Sequence, residues 1–109
     1  MAADPLNVAR TESLFRDVNE RIAETAKALN SDAAVFVCEC ADSECGERFE
    51  APLADYERVR ADGTRFLVAP GHEEPTYEDV RRRRSEYRVV SKDVDERVKR
   101  AVCDLDPRD

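Results

Sequence analysis

A chain of 109 residues, with 39% charged side chains and a formal net charge of −7, can fold as one small domain with a modest core. Its acidic surface argues against general binding to nucleic acids, which needs a basic footprint. No run of residues is long and apolar enough to span a membrane, and the start of the chain lacks the apolar core of a signal peptide.

The first predicted element is a long amphipathic helix. Residues 1–10 are predicted to be a loose leader, and Thr11 can cap the helix that follows it. A polar stretch at 30–32 ends the helical pattern. We expect its apolar stripe to pack against the sheet of the same domain; the alternative is that the stripe pairs with a partner helix, including that of a second copy of this chain. The stripe consists of Leu14, Phe15, Val18, Ile22, Ala26 and Leu29.

The rest of the chain is predicted to alternate short strands and short helices. Val35, Phe36 and Val37 favour an extended conformation, and the cysteine-rich loop after them joins the first two strands as a hairpin. We therefore expect an α+β domain over residues 11–109, in which the long helix packs across a small, mostly antiparallel sheet of about four strands. The strands are predicted at 34–40, 47–51, 65–69 and 87–90, and the shorter helices at 53–61, 76–84 and 93–105.

Four consecutive arginines, Arg81 to Arg84, are predicted to end the helix over 76–84. Positive side chains at that end complement the helix dipole, so a solvated helix terminus is the simplest interpretation. The alternative is a patch that binds phosphate or nucleic acid, which the acidic total disfavours.

Three of the four cysteines lie within eight residues of sequence. Side chains alternate between the two faces of an extended segment, so Cys38 and Cys40 point to the same side and Glu39 points away. The polar segment 41–44 can reverse the chain and return Cys45 to the same place. Three thiolates in such an arrangement favour a metal site over three unrelated core thiols.

Three thiolates still need a fourth donor to complete a tetrahedral site. His72 is the predicted donor, because the turn at 69–71 can direct its imidazole back toward the sheet. The resulting Cys3His set is typical of structural zinc sites, and we expect one Zn²⁺ per chain. The competing donors are Cys103, Asp42, Glu44 or a water molecule, although Cys103 is predicted to be a buried core residue.

A closed zinc site predicts a small zinc-binding protein with no catalytic residues, acting as a protein-interaction or regulatory module with a protein partner. One alternative is a zinc hydrolase or deaminase in which water replaces one ligand and a nearby glutamate acts as base. Another is a thiol redox switch that releases the metal on oxidation. Clustered thiols suit a reducing compartment, so we expect a cytoplasmic protein. The glutamates considered as base are Glu39, Glu44, Glu47 and Glu73.

Several of these segments together resemble a group of small, uncharacterised bacterial proteins with an FxCEC…C…VAPGHE pattern. The likeness covers most of the chain up to His72, and it implies that the three cysteines and the Gly-His element occur together. One departure is Pro52, where the group leads us to expect a Thr or Ser helix cap. The matching segments are 15–22, 36–40, Cys45, 53–60 and 65–73.

Overall fold

The computed structural model describes residues 5–40, 42, 44–72, 79–84, 86–92 and 96–108, and these residues form an α+β fold, as predicted. The strands lie in two antiparallel sheets: β1 pairs with β2, and β5 lies between β3 and β4. The elements in chain order are α1 (Pro5–Ala28), β1 (Ala33–Val37), β2 (Arg48–Pro52), α2 (Leu53–Arg60), β3 (Arg65–Val68), β4 (Asp79–Arg83), β5 (Arg88–Ser91) and α3 (Glu96–Asp104).

Helix α1 begins earlier than predicted. It starts at Pro5, a residue that suits the first turn of a helix because that turn does not need its missing N–H. Thr11 therefore lies inside the helix and does not cap it, and residues 5–10 do not form a loose leader. Val8 and Ala9 are buried, so this first part of α1 contributes to the core.

The predicted orientation of α1 is wrong for half of its apolar stripe. Leu14, Val18 and Leu29 are 61%, 41% and 73% exposed, whereas Ala26 is buried and Ile22 is partly buried against the core. The side of α1 that packs against the rest of the protein is instead a mixture of polar and small apolar residues. This inner face consists of Glu12, Ser13, Arg16 and Asn19 together with Val8, Ala9, Ala23 and Ala26, all of them buried.

Arg16 shows why a polar face can point inward. Its guanidinium donates hydrogen bonds to the carbonyl oxygens of Gly63, at 2.7 Å, and of Val102, at 2.8 Å. The same group lies 4.5 Å above the centre of the Phe66 ring. Hydrogen bonds of this kind offset the cost of removing a charged group from water, and they join α1 to α3 and to the loop after α2.

The helix predicted over 76–84 is wrong where the structure describes it. Residues Asp79–Arg83 form the edge strand β4, which pairs with β5 and has an irregularity between Val80 and Arg82. Cross-strand pairing decides the structure of this segment, and the charged side chains of Arg81 and Arg82 are exposed. Charged side chains on an edge strand discourage further strands from adding to it. Residues 73–78, which include Glu73 and the first part of the predicted helix, lie outside the described residues.

Helix α3 buries Val98 and Val102, as its spacing predicted. The prediction that Cys103 is a core residue is wrong, because its side chain is exposed. Cys103 follows Val102 directly, and successive residues of a helix point about 100° apart, so one is buried and the other faces solvent. Residues 93–95, predicted to open this helix, lie outside the described residues.

The two sheets meet where the cysteines lie. Beyond the end of β1, Cys38 donates its N–H to the Glu47 carbonyl at 2.9 Å, and Glu39 donates its N–H to the Leu67 carbonyl of β3 at 2.8 Å. These bonds place the β1–β2 hairpin next to the end of β3, from which the chain continues toward His72. Within the described residues, no helix combines the length and the apolar character that crossing a membrane requires.

Candidate metal centre

The structure brings together all four residues that the sequence predicts as metal ligands. Cys38, Cys40, Cys45 and His72 each offer one ligand atom, and these atoms all lie within 4.8 Å of one another. His72 Nδ1 lies 3.6 Å from the sulfur of Cys38 and 3.3 Å from that of Cys45. A tetrahedral zinc site with its usual bond lengths separates a sulfur from a nitrogen by about 3.6 Å. The group could therefore hold a metal ion.

Asp42 shapes the loop that returns Cys45 to the other two cysteines. Its carbonyl oxygen accepts the N–H of Cys45 at 3.1 Å, and its side chain accepts the N–H of Glu44 at 2.9 Å. Gly46 follows with a φ of 64°, a conformation that glycine adopts more readily than other residues. Asp42 and Glu44, two of the competing donors, are thus parts of the turn and lie outside the four-residue group.

His72 is placed by a tight turn whose residues match its geometry. The N–H of His72 bonds to the carbonyl of Ala69 at 3.0 Å, so residues 69–72 form a β-turn. Pro70 occupies the second position and Gly71, with a φ of 86°, the third, which is the pattern of a type II turn. Ala69 also donates its own N–H to the sulfur of Cys38 at 3.1 Å, so the same turn contacts two of the four residues.

The group lies at the border between core and solvent. Cys38 and Cys40 are buried, whereas Cys45 and His72 are partly exposed. An ion held between them would be anchored in the core on one side and reachable from solvent on the other.

The three thiols of the group differ in the direction in which their pKa values are shifted. The hydrogen bond from the Cys38 thiol lowers the pKa of Cys40 to about 5, although burial acts in the opposite direction. Donating that bond raises the pKa of Cys38, as does its own burial. Burial also raises the pKa of Cys45. These shifts favour a thiolate on Cys40 over one on Cys38 or Cys45.

Glu39 points away from the other side chains of the cysteine segment, as predicted, but its role was not apparent from the sequence. Its side chain is fully buried. One carboxylate oxygen accepts a hydrogen bond from Asn19 at 2.7 Å, and the other accepts the N–H of Leu67 at 2.8 Å. Both oxygens are thus engaged, which argues against the general-base role considered for Glu39.

Asn19 connects the same segment to α1. Its side-chain amide accepts the N–H of Val37 and donates to the carbonyl of Val37, each at 2.9 Å, much as a neighbouring strand would. Together with the hydrogen bond from Asn19 to Glu39, these two bonds fix Val37, which precedes Cys38, and Glu39, which lies between Cys38 and Cys40. The only sequence signal for this contact was the polar side of α1, opposite its apolar stripe.

Glu39→Gln is expected to lower the free energy of unfolding by about 1–3 kcal/mol. Both neighbours of the side chain are donors, so the NH₂ group of glutamine must face either Asn19 or the Leu67 N–H without an acceptor. Urea unfolding at neutral pH measures the loss. Glu50→Gln, at an exposed position of β2, is the matched control and should change stability by less than about 0.5 kcal/mol. Equal stability of the two variants would contradict the role of the Glu39 carboxylate.

No family model, no curated protein and no solved structure matches this chain. The resemblance to small bacterial proteins therefore stays a prediction made from the residues alone.

Proposed function

We propose that this chain is a small zinc-binding protein in which Cys38, Cys40, Cys45 and His72 hold one structural Zn²⁺, and that it serves as a protein-interaction module. The observation that carries the proposal is the convergence of three sulfurs and one imidazole nitrogen within 4.8 Å of one another. Residues from two separate segments supply these atoms, so the fold itself creates the site.

The donor set favours zinc over the other common metals. Thiolates are soft ligands that select zinc or iron–sulfur clusters over magnesium and calcium, and one imidazole among three thiolates is a frequent zinc combination. Four protein donors complete a tetrahedral sphere and leave no position for an activated water. This supports a structural role over the hydrolase or deaminase alternative.

The position of the group also supports a structural role. Cys38, Cys40 and Cys45 belong to the end of the β1–β2 hairpin, whereas His72 follows β3 in the other sheet. An ion bound by all four would join the two sheets at their shared border. Binding energy of this kind adds directly to the stability of the folded state.

The interaction role is supported by the surface of α1. Its outward side carries the large apolar side chains of Leu14, Val18 and Leu29, while Glu12, Arg16 and Asn19 are buried. Exposed apolar surface of this kind is typical of sites that bind another protein.

The metal content of the purified protein tests the proposal. We expect one zinc per chain in the unaltered protein and in the control Cys103→Ser, since Cys103 is exposed and lies outside the four-residue group. Cys45→Ser should lose most of the metal after dialysis against a mild chelator. Cys45 is the most suitable ligand to change because it is only partly buried, so the substitution disturbs the core little.

Thermal unfolding with and without chelator completes the test. We expect the chelator to lower the melting temperature of the unaltered protein and of Cys103→Ser, and to have little effect on Cys45→Ser. An unaltered protein without metal would overturn the proposal. So would a Cys45→Ser variant that retains a full equivalent of zinc, or a coloured protein that contains iron and sulfide.

A further inference from the structure

Helix α1 presents an apolar surface to solvent along most of its length. We call this surface the outer face of α1, and it adjoins a groove of about 520 Å³ between α1 and the start of β1. In an amphipathic helix the large apolar side chains are normally buried, whereas here Leu14, Val18 and Leu29 are exposed. The outer face consists of these three residues, the exposed Thr25, and the partly exposed Thr11 and Ile22.

The spacing of the central residues on this face is symmetric. Successive residues are 3, 4, 4 and 3 positions apart in the series Thr11, Leu14, Val18, Ile22 and Thr25. The spacing is therefore the same when it is counted from either end. Two such helices packed antiparallel about a two-fold axis at Val18 place Val18 against its own counterpart. The same axis places Leu14 against Ile22 of the second copy, and Thr11 against Thr25. A two-fold interface requires this kind of self-complementary surface.

The charges beside the outer face are also complementary about this axis. Arg10, Asp17, Arg21 and Glu24 are exposed and lie along one flank of the face. In an antiparallel pair this flank meets the same flank of the other helix. Glu24 of the second copy then lies two positions from the level of Arg10, and Arg21 of the second copy lies two positions from the level of Asp17, offsets that these side chains can span. Each charge on this flank therefore has an opposite charge within reach, although Asp17 also lies near its own counterpart, and the two-fold axis repeats both pairs.

We propose that the outer face of α1 is the interface of a homodimer, in which two copies of this chain pack α1 against α1 in antiparallel orientation with the two-fold axis at Val18. The inference names the partner for the interaction role proposed above and rests on that role, but not on the identity of the metal. The N-terminal half of each α1 would lie over the groove of the other copy.

The size of the interface sets the expected affinity. Two α1 helices centred on Val18 overlap over residues 8–28, which is about 31 Å, and the face is about 10 Å wide. The resulting area, about 310 Å² per copy, is below the roughly 800 Å² per partner of a standard stable interface. We therefore expect a dissociation constant in the micromolar range.

Sedimentation equilibrium at chain concentrations from about 1 to 500 µM measures the association. The unaltered protein should change from monomer to dimer within this range. Val18→Glu places two carboxylates together on the axis and should weaken the dimer at least about thirtyfold. Ala54→Glu makes the same apolar-to-acidic change at an exposed position of α2 and should leave the association unchanged. Circular dichroism and metal content, measured on each variant, show separately whether the fold and the metal site are intact.

A charge exchange tests the orientation. Asp17→Arg should weaken the dimer about tenfold because the new cation would face Arg21 of the second copy. Adding Arg21→Asp should restore most of the affinity, since opposite charges again face each other. A folded protein that stays monomeric at 500 µM would overturn the proposal, and so would a dimer that Val18→Glu does not weaken. A double variant that binds no more tightly than Asp17→Arg alone would overturn the antiparallel arrangement.

Discussion

Replacing Lys92 with methionine is expected to lower the free energy of unfolding by about 3–5 kcal/mol at pH 8. Lys92 forms an ion pair with Glu12 of α1, and both side chains are fully buried. The ammonium group also lies 5.8 Å from the centre of the Phe66 ring. Removing the cation leaves the Glu12 carboxylate inside the protein without its positive partner, and an uncompensated buried charge is among the most destabilising changes that a single substitution causes.

The loss should depend on pH. Burial raises the pKa of Glu12 from 4.5 to about 7, while Lys92 acts to lower it. Between pH 4.5 and 7 the Glu12 carboxyl is protonated in the folded state and ionised in the unfolded chain. The contribution of Glu12 to the free energy of unfolding is therefore greatest at low pH, and it is lost as the pH rises through 7. Without Lys92 the pKa of Glu12 rises further. The difference in stability between Lys92→Met and the unaltered protein should therefore be largest at pH 8 and shrink toward pH 5.

Urea unfolding at pH 5, 7 and 8 measures the stability lost in Lys92→Met. Two further variants provide values with which this loss can be compared. Lys27→Met removes a lysine from an exposed pair with Glu57, at 2.6 Å, and should cost less than about 1 kcal/mol. Adding Glu12→Leu to Lys92→Met removes both charges and should recover most of the loss, since an apolar pair is often as stable as a buried ion pair. If Lys92→Met cost no more than Lys27→Met at pH 8, the buried ion pair would be contradicted.

The same ion pair shows where prediction from the sequence fails. Periodicity identifies α1 but not its first turns at 5–10, and it assigns the whole apolar stripe to the core because it cannot represent partners that are distant in sequence. Arg16 finds its acceptors at Gly63 and Val102, and Glu12 finds its cation at Lys92. These partners become neighbours only when the fold is complete, and they allow Glu12 and Arg16 to point into the protein.

Prediction from the sequence succeeds where neighbouring residues determine the local structure. The β1–β2 hairpin follows from a β-branched and aromatic run before a polar loop, and the turn carrying His72 follows from Pro70 and Gly71 in their preferred positions. The convergence of the three cysteines and His72 was predictable because alternation along the chain and the need for a fourth donor both pointed to it. The segment 79–83 was not predictable in this way, since its arginines have no periodicity and pairing with β5 determines its structure.

Zinc binding is expected to release about two protons per ion and to tighten about a hundredfold per pH unit between pH 7 and 8. The two protons come from Cys38 and Cys45, whose pKa values are raised and whose thiols are protonated in this range. Cys40 contributes no proton, because the hydrogen bond from Cys38 lowers its pKa to about 5 and it is already a thiolate. Each proton displaced by the metal makes the affinity about tenfold higher for every unit of pH.

Competition with a coloured chelator at pH 7.0, 7.5 and 8.0 gives the slope, and calorimetry in two buffers with different ionisation enthalpies counts the protons directly. Cys103→Ser should keep the slope of two, because Cys103 lies outside the group. Cys45→Ser should bind more weakly and release one proton fewer, which reduces the slope to about tenfold per pH unit. Release of three protons by the unaltered protein would show that Cys40 is protonated before the metal binds, and would contradict the thiol–thiolate pair between Cys38 and Cys40.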